Sequence, residues 1–232
     1  MKLAVLPKVT KAHPSTERSQ RFLISAHEAA DEVLATLEVL RQRRKAKGGD
    51  IRGRLAINEE DQLRAAIVFT GAGLDATLKR LIRDTLPNLL LFDEQAQEKF
   101  EEFTAEKIGT AETVDPKAVA RYLAAADPRE RLIDDYVYKL TGSSLQSAQE
   151  VSKVAGALGI DDKELRKAIP SLKPLFVARN EISHELDLQS LEKPGDRTRR
   201  SRPMDGTKKI CDAGFRIGQQ IVNAVNEKLS TP

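Results

Sequence analysis

The stretch NEEDQLRAAIVFTGAGLDATLKRLIRDTLP, Asn58 to Pro87, decides the fold class. Its apolar residues Leu63, Ile67, Leu74, Leu78, Leu81 and Ile82 recur at the spacing of a single helix face. Asn58 stands at the cap position. Glu59, Glu60 and Asp61 fill the first turn, where carboxylates meet the positive end of the helix dipole, and Pro87 closes the segment. Gly71 and Gly73 interrupt the middle. Each costs about 1 kcal/mol against alanine in a helix interior, which close approach of another backbone would offset.

Working outward, the same period governs the rest of the chain. On the N-terminal side, HPSTERSQ offers Ser15 or Thr16 as a cap, and Phe22, Ala26, Ala30, Val33, Leu37 and Leu40 form the stripe that follows. That segment ends in RQRRKAKGGD, with cations at the helix C-terminus and Gly48-Gly49 as the stop. On the C-terminal side come shorter helices. Phe92 to Lys107 is amphipathic, and Asp115-Pro116 and Asp127-Pro128 each read as a cap followed by proline in the first turn. Gly142 ends the second of these helices, and Ser144 to Leu158 ends at Gly159. Asp161 and Glu164 open a short helix that stops before Pro170. Pro174 starts the next helix. A polar, basic loop, LQSLEKPGDRTRRSRPMDG, leads to a last helix from about Thr207 to Leu229, with Ile210, Phe215 or Gly214, Ile217, Ile221 and Val225 inward. No segment reads as a strand, so the chain is expected to be all-α.

Length and composition fit one large domain, residues 1–232, or one domain with an insertion. Aromatics are 4% with no tryptophan, too few for a sandwich or barrel. A net charge of +3 permits nucleic-acid binding without demanding it. The single Cys211 excludes an internal disulfide and a cysteine-based zinc site. No apolar run approaches a membrane span, and MKLAVLPKV has too short an apolar core for a signal peptide, so a soluble cytoplasmic protein is expected. TGAGLD is no phosphate loop, since it lies inside a helical pattern and lacks the Lys-Ser/Thr. Neither a cofactor nor a metal is implied.

Chemistry concentrates in VARNEISHELD, Val177 to Asp187. At about 100° per residue, Asn180 and His184 stand one above the other, and Arg179 lies about 140° round from His184, within reach of the same cleft. One imidazole, one permanent cation and one amide suit RNA cleavage. A histidine with an ordinary pKa of about 6.5 can take the 2′-hydroxyl proton, a guanidinium fork matches the phosphorane oxygens, and the amide of Asn180 can orient the histidine or hold a phosphate oxygen. The plainer alternative is a surface helix in which His184 pairs with Glu181 or Glu185.

Arg179-Asn180-Glu181-Ile182-Ser183-His184 resembles the R-N-x-x-x-H signature of HEPN domains, an all-helical superfamily rich in metal-independent ribonucleases. The surroundings resemble it too: two long N-terminal helices, the motif on a later helix and one closing helix, covering Ser15 to Ile82 and Pro174 to Leu229. The resemblance implies a HEPN-like bundle with a helical insertion at about 88–170, and with Arg179 and His184 as the catalytic pair. It also implies a homodimer that shares the cleft, and a toxin, abortive-infection or phage-defence role with an antitoxin or regulatory protein as partner. HEPN toxins paired with nucleotidyltransferase antitoxins carry a tyrosine two residues after the histidine, where this chain has Leu186. That departure puts control by tyrosine modification in doubt.

Several such ribonucleases add a helix-borne carboxylate. Asp75 is the candidate, against the alternative of an i,i+4 pair with Lys79. RTRRSR, with Arg197, Arg199, Arg200 and Arg202, begins thirteen residues past His184. It reads either as a phosphate grip beside the cleft or as a solvated loop. Two rival functions remain: a HEPN module that binds RNA, nucleotide or protein without cleaving, and a DNA-binding helix-turn-helix at Ser144 to Ile169, whose second helix offers only Lys163, Arg166 and Lys167.

Overall fold

The computed structural model describes residues 1–6, 12–51, 54–109, 113–190, 192 and 197–230. The chain is all-α. Helices α1 (Pro14–Ala46) and α2 (Ile57–Leu89) are followed by α3 (Glu94–Ile108), α4 (Pro116–Leu123), α5 (Pro128–Thr141), α6 (Ala148–Ala157) and α7 (Lys163–Ala168). A 3-10 turn, Ile169–Leu172, leads straight into α8 (Lys173–Glu185), and α9 (Met204–Ser230) closes the chain. Among the described residues there is no strand, only isolated bridges at Gly109–Val114 and Leu188–Arg199. No described helix is long and apolar enough to cross a membrane.

The two long helices run antiparallel, Gly73 of α2 meeting Ala26 of α1 while Glu59 meets Arg44 at the other end. The expected α2 face is the observed one. Leu63, Ile67, Leu74, Leu78, Leu81 and Ile82 are all buried. Helix α9 lies against both partners, with Gly214 facing Thr70 and Leu175, and Gly218 facing Leu23 and Leu74. Helix α8 completes the layer against α2 and α9. Helices α3 to α7 lie within residues 88–170, and Ala96, Phe103, Ile133, Tyr136, Val151 and Leu165 among them belong to the same continuous core as the long helices. Arg83 to Thr141 and Arg129 to the Leu90 carbonyl tie this part to the end of α2.

Several boundaries differ from the sequence reading. The cap of α1 is His13, not Ser15 or Thr16; its Nδ1 accepts from the Ser15 amide at 3.3 Å, with Pro14 in the first turn. Helix α2 begins before Asn58, at Ile57. Its Ala56 cap has no polar side chain, so Glu59 reaches back to the Ala56 amide at 2.9 Å instead. Pro87 sits in the last turn rather than ending the helix. Residues 144–147 are not helical, because Ser147 caps α6 through the Glu150 amide. Asp162, one residue later than expected, caps α7. Asp115, Asp127 and Gly159 act as expected, Gly159 at φ +68°.

On α1 the buried set is Thr16, Ser19, Leu23, Ala30, Leu34 and Leu37. Phe22, taken as inward, is 48% exposed while Leu23 is fully buried. The small polar Thr16 and Ser19 occupy inward positions that hydrophobicity does not mark. Thr16 is held by Asn226 of α9, and Ser19 by the Thr16 carbonyl.

Gly73 shows why the middle of α2 needs glycine. A Cβ there would fall within the van der Waals sphere of the Ala26 methyl. Gly73→Ala is therefore expected to destabilise the fold by about 1–3 kcal/mol of overpacking, despite the roughly 1 kcal/mol gain in helix propensity. Urea unfolding measures this, and a midpoint at or above that of the parent chain would contradict the packing argument.

Candidate functional site

Helix α8 has no side-chain cap, since the 3-10 turn delivers it already wound, with Pro174 near its start. Leu175, Phe176 and Ala178 are buried and seat it; Val177 is 47% exposed. The next residue, Arg179, crosses α2 at Gly71. A Cβ on that glycine would lie 3.1 Å from Arg179 Cγ and 3.6 Å from its Cβ. The close approach inferred for Gly71 thus admits the stem of this arginine. Arg179 is half-buried. Its Nη1 donates to Asn180 Oδ1 at 3.0 Å, and among the described residues no carboxylate pairs with it. A guanidinium carries five donors, so four remain for an anion.

His184 is exposed, one turn beyond Asn180 on the same face, and makes no hydrogen bond or ion pair among the described residues. The pairing with Glu181 or Glu185 that local spacing allowed does not form, because both carboxylates are held from outside the helix. Glu181 binds Arg202 at 2.6 Å and Arg200 at 3.5 Å, and Glu185 binds Arg200 at 3.1 Å.

Asp75 is engaged elsewhere. Its Oδ2 lies 3.0 Å from Lys79 Nζ and its Oδ1 accepts from the Leu145 amide at 2.7 Å. No hydrogen bond or ion pair joins it to Arg179 or His184 among the described residues. The i,i+4 pair is what forms, and the carboxylate also pins the loop before α6.

Over its described part, three of the four arginines of the basic run, Arg199, Arg200 and Arg202, are engaged by carboxylates; residues 191 and 193–196 of that loop lie outside the described residues. It returns along the end of α8, with the Gln189 amide on the Thr198 carbonyl and the Arg200 amide on the Asp187 carbonyl, both at 2.8 Å. Arg199 pairs with Asp61 at 2.6 Å. Arg200 and Arg202 take the α8 carboxylates, and of the four arginines only Arg197 is exposed.

At the centre sits Asp187, fully buried. It receives Arg64 Nε at 2.7 Å and Arg202 Nε at 3.1 Å. Arg64, 5% exposed, also donates to Glu60 at 3.0 Å, to Asp61 at 3.1 Å and to the Arg200 carbonyl at 2.9 Å. Burial works against the charge on Arg64, but the hydrogen bonds to Asp187 and Glu60 outweigh it and raise its pKa. The same balance, with Asp187 and Glu181, raises that of Arg202. Leu186 and Asp187 both adopt left-handed backbone, φ 52° and 60°. Such conformations cost roughly 1–2 kcal/mol per non-glycine residue, and this network holds them. Arg64 and Asp187 escaped the sequence reading. The Glu60–Arg64 spacing was a visible signal, but the long-range partner had none.

The second helix of the helix-turn-helix candidate is α7, and its cations stand on the surface. Helix α7 spans only six residues, Arg166 is paired with Asp161, and Lys167 with Glu164. Comparison with family models, curated proteins and solved structures gave no match.

Proposed function

We propose that this chain is a metal-independent endoribonuclease of HEPN type, with Arg179, Asn180 and His184 as its site. One observation carries the reading: His184 and Arg179 have no carboxylate partner among the described residues although Glu181 and Glu185 flank them, because Arg200 and Arg202 hold those acids. An imidazole and a guanidinium left unpaired beside sequestered carboxylates are poised for an anion. In the proposed reaction His184 accepts the 2′-hydroxyl proton and the 2′-oxygen attacks phosphorus. The bond to the 5′-oxygen breaks, that oxygen takes a proton from solvent, and His184 returns the proton it accepted to solvent. Arg179 stabilises the charge gathered on the phosphorane, and Asn180 orients the guanidinium. The products are a 2′,3′-cyclic phosphate and a 5′-hydroxyl.

A homodimer belongs to the same proposal. Val177, 47% exposed, stands two turns before His184 on one stripe of α8, an apolar contact for the facing helix of a second copy. A growth-inhibiting or defence role, restrained by a partner protein, is the biological expectation.

The test is cleavage, in excess EDTA, of one RNA oligonucleotide and its 2′-deoxy twin. The RNA is expected to be cut to cyclic-phosphate ends and the twin to survive. Loss of cutting in EDTA, or equal cutting of both strands, would sink the mechanism. Tight RNA binding with no turnover would instead favour the non-catalytic module.

A further inference from the structure

Residues 88–170 contain a cleft that the proposed ribonuclease chemistry does not use. It opens among α3, α5 and α6 and has a volume of about 650 Å³, inside the range of roughly 300–1,000 Å³ common to small-molecule sites. Phe103 and Tyr136 form its floor, 3% and 5% exposed, with ring centroids 4.7 Å apart. Lys99, Lys139, Lys153 and Arg166 stand on its lining against two carboxylates, Glu102 and Glu106. Lys99 pairs with Glu102 at 2.5 Å and Lys139 with Glu106 at 2.6 Å. Arg166 pairs with Asp161 at 2.7 Å, and Lys153 is exposed with no ion pair among the described residues. The rim is therefore net cationic.

Two features mark the cleft as able to hold a ligand. Gly156 lies in the last turn of α6, and a Cβ there would meet nothing within 4 Å. Gly73 and Gly214 are required by neighbours that touch them; Gly156 weakens its helix and faces open space in the cleft. Tyr136 is the second. Its ring is buried, while its hydroxyl makes no hydrogen bond among the described residues and is not enclosed by the protein, so it opens to the cleft. Burial, with Glu102 adding to it, pushes its pKa up, so the hydroxyl keeps its proton and offers the cleft a donor.

We propose that this cleft is a binding site for a phosphorylated heterocycle, the chemistry of a nucleotide. The flat ring lies against the bare backbone at Gly156, a ring acceptor takes the Tyr136 hydroxyl, and the phosphates sit among the rim cations. Gln149 and Ser152 also line the cleft, so the body of the ligand needs hydrogen-bonding edges as well as a flat face. An aliphatic acid would leave those groups and Tyr136 unpaired. The site is independent of the Arg179–His184 reading, and its test does not involve RNA cleavage.

Calorimetric titration of the full chain with ATP, GTP, CTP, UTP and inorganic phosphate tests it. At least one nucleotide is expected to bind at micromolar concentration, and phosphate alone at least 100-fold more weakly. Gly156→Phe fills the cleft from a position with free space, so it is expected to fold as the parent chain does and to abolish binding. Tyr136→Phe removes only the hydroxyl and is expected to weaken binding roughly tenfold, the effect of about one hydrogen bond; it decides the matter even if the larger substitution perturbs folding. No binding of any of the four at millimolar concentration overturns the proposal. So does phosphate binding as tightly as the nucleotides, or nucleotide binding that Tyr136→Phe leaves unchanged.

Discussion

His184→Ala is expected to lower the rate of RNA cleavage by about 10²–10⁴-fold, the usual contribution of a general base, while leaving the unfolding midpoint where it was. The two halves of that expectation rest on the same fact. His184 is exposed and has no partner among the described residues, so truncation removes no contact and leaves no orphaned charge; surface substitutions of this kind stay within about 0.5 kcal/mol. Arg179→Ala is expected to cost a similar factor in rate, near that of an electrostatic stabiliser, but also some stability, because its stem packs over Gly71. Arg179→Lys keeps the charge and most of the stem, yet is expected to rescue only partly, since an ammonium lacks the planar fork. Initial rates in EDTA, beside thermal melts of each variant, make the check. A His184→Ala enzyme with parental rate would end the assignment, and so would a full rescue by lysine.

What the sequence shows of this architecture follows the range of the interactions involved. Helix α2 was legible because its apolar face, its acidic first turn and its glycines are local signals, and the face proved right residue by residue. The Asp-Pro starts of α4 and α5 were legible for the same reason. Helix α1 was legible as a helix, with Ala30 and Leu37 inward as expected, but its phase was misread at the start. Its inward positions include Thr16 and Ser19, whose partners lie in α9 or on the helix itself, while Phe22 is apolar and half-exposed. Hydropathy alone therefore turned the helix the wrong way at its start.

The site divides along the same line. That Arg179, Asn180 and His184 share a helix was a matter of spacing. That Glu181 and Glu185 would be withdrawn from His184 was not, because the arginines responsible return from a loop whose path is set by Asp187 and Arg64, 123 residues apart in sequence. Asp75 shows the converse. Its i,i+4 partner Lys79 was visible, and the Leu145 amide that fixes its other oxygen was not. A dense basic run reads as a nucleic-acid grip only while its long-range acidic partners are unknown.

Arg64→Ala is expected to be the most destabilising single change in the candidate site's surroundings. It leaves Asp187, fully buried, and Glu60, 3% exposed, short of their principal donor. Breaking one side of a buried ion pair typically costs about 3–5 kcal/mol, far more than an exposed pair is worth, because the remaining charge stays desolvated. Arg202 still reaches Asp187, so the loss is expected towards the lower end of that range. The charge, not the lost volume, is the stated cause, and a second variant separates the two. Arg64→Met restores bulk without charge and is expected to recover little, whereas Arg64→Met combined with Asp187→Asn also removes the stranded carboxylate and is expected to recover a measurable part of the loss. Urea unfolding of the four chains reads this directly. A loss below about 1 kcal/mol for Arg64→Ala, in the range of a surface pair, would mean that the network is decoration. An equal loss in the double variant would place the cost in packing. The consequence reaches the site through α8. Arg64 and Arg202 anchor the left-handed turn after Glu185, and Arg200 and Arg202 keep Glu181 and Glu185 occupied. Loosening that turn frees two carboxylates beside His184, and the histidine then acquires the partners whose absence supports its proposed role.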